Sequence, residues 1–202
     1  MITIALSKGR QLKDFIAFLK SIDMTDWSDA LESVSRELVV NTDSVRFLLV
    51  KGEDVPVYVE EGVADLGITG SDVLYEQNRH INNLMDLPFG YCHFALAAKE
   101  PKDVYPVVAT KYVQFTQNYF DSIMQPVKII YLKGSVELAA TIDMADAIMD
   151  IVQTGTTLRD NGLEEQIRLD DINARLISNK HAFFSKNTKI QSIINQFKKV
   201  GA

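Results

Sequence analysis

The sequence predicts an α/β fold, and three observations carry that expectation. Short apolar runs alternate along the whole chain with segments whose apolar residues recur at helical spacing. Several of these runs end in a glycine-containing or polar turn that leads straight into a helical pattern, the habit of strand–turn–helix units in largely parallel sheets. The composition, 47% hydrophobic and 24% charged, supplies a real core and excludes disorder. At 202 residues the chain has room for one large domain or two small lobes.

The elements follow in order. Met1–Leu6 is apolar and suits a buried strand, broken at Ser7-Lys8-Gly9-Arg10 before a helix carrying Leu12, Phe15, Ile16, Leu19 and Ile22. After a polar stretch around Trp27 come two β-like runs, Glu37–Val40 and Val45–Val50. Val55–Gly62 carries its proline where a helix start tolerates one. Ala64–Gly70 reads as a strand, and Ser71-Asp72 as the capped start of a helix. Cys92–Ala98 and Tyr105–Thr110 are strands, followed by a helix with Phe115, Tyr119, Phe120 and Ile123. Val127–Leu132 is a strand, Gly134–Ala140 starts a helix, and Ala145–Val152 is a strand whose turn is Thr154–Leu158. Ala174–Ser178 closes the strands, and Ile190, Ile193, Ile194 and Phe197 mark one face of a final helix. Val59-Glu60 with Ala64–Ile68 echoes Val136-Glu137 with Ala145–Asp150 at unequal spacing. Two generic helix-to-strand units or two similar lobes both account for it.

Several function classes drop out. The longest apolar stretches fall short of the ~20 residues that cross a bilayer, and the first residues lack the order of a secretory signal, so a cytoplasmic protein is expected. The lone Cys92 makes no internal disulfide or multi-cysteine zinc site, and His80, His93 and His181 lack metal-ligand spacing. With 21 Lys+Arg against 27 Asp+Glu the net charge is −6, which argues against a surface that tracks nucleic acid. An anionic ligand then needs a locally positive pocket.

Thr154-Gly155-Thr156-Thr157-Leu158 is the most informative segment, because three hydroxyls and a glycine follow an apolar strand. With a helix starting near Thr157, its free N–H groups and dipole would face a phosphate. Read in isolation, the string is a threonine-rich helix cap. Asp146 and Asp150 upstream tip the balance: a carboxylate at the carboxyl end of a strand suits ribose hydroxyls or a magnesium-bound diphosphate. Lys8 and Arg10 offer two cations after the first strand, and Arg36 and Lys51 lie beside apolar runs; each alone also reads as a solvated surface charge. Gly67–Asp72 is a further turn able to hold a polar ligand, and Cys92 and His93 sit in an apolar run that packs them.

Taken in order, Ala5–Arg10, Asp54–Glu60, Ala64–Gly70, Ala109–Tyr112, Gly134–Leu138, Asp150–Leu163 and Ala174–Ile177 resemble the ATP phosphoribosyltransferase family, the first enzymes of histidine biosynthesis. Each motif is weak alone, and the ordered set is specific. The chain stops without the regulatory domain of the family's long form, so it resembles the short form.

The resemblance implies a type II periplasmic-binding-protein-like fold with mostly parallel sheets and an active site in the interlobe cleft. Lobe I would comprise 1–88 and 172–202, and lobe II 89–171. It implies condensation of ATP with phosphoribosyl pyrophosphate: adenine N1 attacks the anomeric carbon, pyrophosphate leaves, and phosphoribosyl-ATP forms with inversion. Carried over by motif, Thr154, Gly155, Thr156, Thr157 and Leu158 would cradle the 5′-phosphate, and Asp150 would hold the ribose hydroxyls. Lys8, Arg10 and Arg36 would act in catalysis around the pyrophosphate and ATP phosphates. Lys51 would contribute to ATP binding, and Glu137 would face the adenine. Gln153 departs from the acidic residue expected before Thr-Gly and receives no charged role.

Mg²⁺ would be the cofactor, bound mainly through the substrates and not by the protein alone. The implied partners are a histidyl-tRNA-synthetase-like regulatory subunit in a hetero-oligomer and a second catalytic subunit in a homodimer, with no nucleic acid and no membrane. The rival reading is a non-catalytic, two-lobed small-solute-binding protein, since fold alone does not establish reaction.

Overall fold

A computed structural model describes residues 1–199 of the chain. In order along it run β1 (Ile2–Ser7), α1 (Arg10–Ser21), α2 (Thr25–Glu32), β2 (Val39–Asn41) and β3 (Val45–Val50). A 3-10 turn at Gly52–Asp54 leads into α3 (Val55–Glu60), β4 (Leu66–Gly70), α4 (Ser71–Gln77) and β5 (Asn82–Asp86). Then come β6 (Cys92–Ala98), β7 (Val107–Thr110), α5 (Val113–Ser122), β8 (Lys128–Tyr131) and α6 (Val136–Thr141). The chain ends through β9 (Ala147–Val152), α7 (Thr156–Asp160), β10 (Glu164–Ile172), β11 (Ala174–Ser178), α8 (Lys180–Ser185) and α9 (Asn187–Phe197).

The chain divides into two compact units, Met1–Gly90 together with the chain from Asn173, and Tyr91–Ile172. These divisions fall a residue or two after 88/89 and 171/172, and local pairing explains why. Phe89 O accepts the Ala174 N–H, which keeps 89–90 in the first unit, whereas Ile172 still pairs with Cys92 in the second. Residues 200–202 of the expected first lobe lie outside the described residues.

The first unit holds a six-stranded sheet in the order β2-β3-β1-β4-β11-β5. Its middle strand β1 is parallel to β3 and β4, so both of its faces are covered and all six residues are buried. Ile2, Ile4 and Leu6 join a core with Phe15, Trp27, Phe47 and Phe197, and Ala5 faces the opposite way toward Val55, Val59 and Ile177. Phe15 anchors the first of these layers, its ring lying 5.9 to 6.4 Å from those of Phe18, Phe47, Phe89 and Phe197. Gly67 of β4 lets α3 press close: a Cβ there would sit 2.7 Å from Val59 and 2.8 Å from Val55.

The second unit is a five-stranded sheet, β10-β6-β9-β7-β8. Alternate residues of β6 again separate two cores, Phe94, Leu96 and Ala98 on one face and Ala95 and Ala97 on the other. Phe94 stacks on Phe115 of α5 with centroids 3.6 Å apart.

Both sheets are mixed, where the alternation of elements predicts largely parallel ones. Only β1/β3, β1/β4, β7/β8 and β7/β9 are parallel, because β2 pairs back on β3, β11 enters antiparallel between β4 and β5, β6 runs antiparallel beside β9, and β10 runs antiparallel beside β6. Ser71 also differs from expectation. It is the first residue of α4, its side chain makes no cap, and its hydroxyl accepts from the Asn173 N–H at 3.4 Å. Among the described residues no helix is long and apolar enough to cross a membrane.

The echo between the two halves has a physical basis. Asp65 donates its N–H to Thr3 O at 2.8 Å and accepts the Thr3 N–H on Oδ2 at 2.9 Å. Asp146 does the same with Val107, at 2.8 and 3.0 Å. Each aspartate immediately precedes a strand and fixes its register against a parallel neighbour, Leu66 beside Ile4 and Ala147 beside Val108. Each also accepts from a lysine, Lys186 at 2.8 Å and Lys102 at 3.0 Å.

Asp65 is buried and its loss strands both the Thr3 N–H and Lys186. Asp65→Ala is therefore expected to cost about 2–3 kcal/mol, and the more open Asp146→Ala about 1–2 kcal/mol. Urea unfolding of the two variants checks the order.

Candidate functional site

The parallel strands bring their carboxyl ends to one edge of each sheet, the edge where open α/β sheets place ligands. In the first unit, Ser7 of β1 lies beside Val50 of β3, so the residues that follow, Lys8 and Lys51, leave the sheet together. Lys8 N–H donates to Val50 O at 3.3 Å. The Ser7 hydroxyl donates to Gln11 Oε1 at 2.6 Å and fastens the first turn of α1, where Arg10 is the first residue, to the end of β1. Beyond β2 the pairing continues with Leu49 N–H donating to Leu38 O at 2.8 Å, which carries Arg36 and Glu37 to this same edge. Four of the expected cations, Lys8, Arg10, Arg36 and Lys51, thus share one rim, all of them exposed.

Glu37 organises part of that rim. Its carboxylate is held below the usual range by its own backbone N–H, by those of Ser35 and Arg36, and by the nearby charge of Lys8. The bonds from Ser35 and Arg36 to Oε2 measure 2.8 and 2.9 Å. The sequence carried no signal for Glu37, since its role depends on a turn that exists only once β2 is paired.

In the second unit the edge is formed by β9, β7 and β8. Thr110, at the end of β7, donates its hydroxyl to Met149 O at 2.6 Å and accepts the Tyr112 N–H at 2.8 Å. Asp150 follows Met149 on β9, half-buried, with Oδ1 accepting the Ile151 N–H at 2.8 Å. The chain then turns through Thr154 and Gly155, whose φ of +70° is the left-handed conformation that glycine adopts without penalty, into α7 starting at Thr156. Thr154 and Thr156 place their hydroxyl oxygens 3.1 Å apart. Leu132 N–H donates to Thr110 O at 3.0 Å, bringing the 133–137 turn, with Glu137 in the first turn of α6, to this edge as well. A link from the Thr141 hydroxyl to Asn161 O at 3.3 Å ties the ends of α6 and α7 together.

Asp150, Thr154, Gly155, Thr156, Thr157 and Glu137 are therefore gathered on the second unit's rim, whereas Leu158 sends its side chain into the core beside Ala97 and Val136 and offers a ligand only its backbone. Asp146 is removed from the site altogether. It stands at the amino end of β9, where it holds Val107 and Lys102, so its proximity to Asp150 in sequence spans the length of a strand.

His93 is packed and meets Glu165 at 2.9 Å. In the Gly67–Asp72 turn, Asp72 is buried and Ser71 is occupied by Asn173. Besides Glu37, two residues escaped the sequence reading: Arg159, which reaches back over the Thr154 loop, and Lys111, which follows β7 as Lys8 follows β1 and lies 4.7 Å over the Tyr112 ring. Among the described residues no three His, Cys, Asp or Glu side chains converge as a metal site. Asp150 stands at the rim as one hard oxygen donor, the kind Mg²⁺ accepts alongside oxygens from a bound substrate.

The comparisons with known proteins agree on one family. A family model described as HisG: ATP phosphoribosyltransferase matches residues 51–199. The chain is 58% identical over 197 residues to the ATP phosphoribosyltransferase of Staphylococcus carnosus, covering 97% of this chain and 96% of the relative. It is 50% identical to that of Staphylococcus saprophyticus, covering 96% and 95%. Among solved structures, the HisG:HisZ ATP phosphoribosyl transferase complex of Thermotoga maritima matches with a TM-score of 0.80 and 29% identity, covering 99% and 98%. The Escherichia coli aliphatic sulphonate binding protein SsuA matches with a TM-score of 0.66, 13% identity and coverage of 97% and 70%, a likeness of fold alone.

The depressed Glu37 carboxyl sets a pH dependence. A lowered folded-state value means that its hold on the 35–37 turn is complete above the range of a free glutamate and is lost as pH falls through the lower, folded value. The Ser35 and Arg36 amide resonances are expected to titrate together below that range, and Glu37→Gln abolishes the titration.

Proposed function

The chain belongs to the ATP phosphoribosyltransferase family, and from that premise we propose which of the substrates' charged groups each unit's rim takes. The activity is the first step of histidine biosynthesis, a pentosyl transfer from 5-phosphoribosyl 1-pyrophosphate to ATP that yields N1-(5-phosphoribosyl)-ATP and pyrophosphate. The adenine N1–C1′ bond forms as the C1′–O bond to pyrophosphate breaks. Such a displacement asks the protein to align two anionic substrates and stabilise a leaving group; it needs no protein nucleophile.

One observation carries the assignment of residues: the Thr154–Thr157 loop leaves the carboxyl end of β9 with Gly155 in the left-handed region and Asp150 just before it. In our reading that loop receives the 5′-phosphate, with N–H groups and hydroxyls as donors, and Asp150 accepts from the ribose hydroxyls. Lys8, Arg10 and Arg36 stabilise the departing pyrophosphate and the ATP phosphates, Lys51 adds to ATP binding, and Glu137 faces the adenine. Mg²⁺ would be held mainly by substrate oxygens, with Asp150 able to add a carboxylate oxygen, and it would supply charge neutralisation to the pyrophosphate.

The HisG:HisZ complex of the Thermotoga maritima relative supports a hetero-oligomer with a regulatory subunit for this chain too, and a homodimer of the catalytic chain and a cytoplasmic location complete the reading. A test mixes the protein with ATP, phosphoribosyl pyrophosphate and Mg²⁺, with and without the regulatory subunit. Formation of phosphoribosyl-ATP is expected, and its absence under both conditions refutes the reading. One charge-assisted phosphate contact is worth about 1.5–3 kcal/mol, so Arg10→Ala and Arg36→Ala should each lower turnover roughly ten- to a hundredfold. Wild-type turnover in either variant removes that arginine from the site.

A further inference from the structure

We propose that Arg159 is a positioning residue for phosphoribosyl pyrophosphate, a guanidinium strap that shapes the Thr154–Thr157 loop before substrate arrives. The inference rests on the reading of that loop as the phosphate cradle. Arg159 Nη1 donates to Thr154 O at 3.1 Å and Nη2 donates to the Thr156 hydroxyl oxygen at 3.3 Å, so one planar group spans Gly155 from both sides. Its own N–H closes the turn on Gly155 O at 3.1 Å. The fit is close enough that a Cβ on Gly155 would lie 3.0 Å from Nη1. Residue 159 reaches this place because it follows Thr156 by three residues on the same face of α7, where helical side chains lean toward the N-terminus.

The strap also occupies one acceptor site of the cradle. A phosphate oxygen only accepts, so a threonine hydroxyl beside it must donate. Thr156 Oγ1 accepts from Arg159, and with Thr154 as donor in their 3.1 Å contact the Thr156 proton is left for a phosphate oxygen. Lysine carries the same charge but lacks the planar fork that spans two acceptors.

The test compares Arg159→Ala, Arg159→Gln and Arg159→Lys in the full-length protein, with the regulatory subunit present where activity requires it. The KM for phosphoribosyl pyrophosphate is expected to rise roughly tenfold in all three, with the KM for ATP unmoved and kcat less affected than KM. In the ligand-free protein, amide exchange at Gly155–Thr157 should quicken in each variant while that of β9 stays as in wild type. Wild-type exchange in the alanine variant, or full restoration of the KM by lysine, overturns the strap. If the wild-type enzyme forms no product, the cradle reading fails, and the exchange measurement still decides whether Arg159 orders the loop. Should alanine unfold the protein, the glutamine variant, which keeps the side chain's bulk, carries the same measurements.

Discussion

Everything functional in each sheet depends on the register of its parallel strands, and in both units an aspartate immediately before a strand fixes that register. A carboxylate and a peptide group from one residue grip both polar groups of the partner, Thr3 for Asp65 and Val107 for Asp146. A slip by one residue would turn every side chain of the strand to the other face and undo the split of β1 and β9 between two cores. It would also change which residues emerge at the carboxyl edge. The lysine partners differ in origin, Lys186 lying 121 residues after Asp65 and Lys102 44 residues before Asp146, yet they meet the same need, which is to neutralise an aspartate held in the fold.

The chemistry fits a scaffold of this kind. A net charge of −6 leaves no general attraction for polyanionic substrates, so the attraction must be local. The first unit concentrates Lys8, Arg10, Arg36 and Lys51 on one rim, and the second supplies hydroxyls, backbone N–H groups and one carboxylate. Holding groups on strand ends and first helical turns fixes their backbone positions, which serves a reaction that relies on alignment.

The strands buried on both faces were legible in sequence, and β2, β3, β7 and β8 were read as well from their apolar runs. β1, β4, β6, β9 and β11 read as apolar runs because helices or loops cover each side of them. The strand β10 escaped because Glu164–Ile172 is a mostly exposed edge strand whose pairing with β6 is broken by register shifts, so no alternation survives. Exposed β5 escaped for the same reason, and α2 and α8 because short helices with three and one buried residues leave too little periodicity. At the site, the Thr154 loop, Asp150 and the four cations were visible as residue types in suggestive places. Glu37 and Arg159 were not, since each acts on a backbone turn that no local pattern announces.

By itself the sequence determined the α/β class, the order of most elements, the family and the chemical kinds gathered for the reaction, because these follow from periodicity, composition and ordered motifs. Tertiary structure decided the rest: mixed sheets in place of parallel ones, Asp146 as a register clamp and not a ligand, Leu158 as core, and Arg159 as the strap over the loop. The first three depend on which strands become neighbours and in what register, and pairing between segments distant in sequence is chosen by the packing of the whole unit. Arg159 differs, because its partners Thr154 and Thr156 are close in sequence and only the conformation of the turn brings them under the guanidinium.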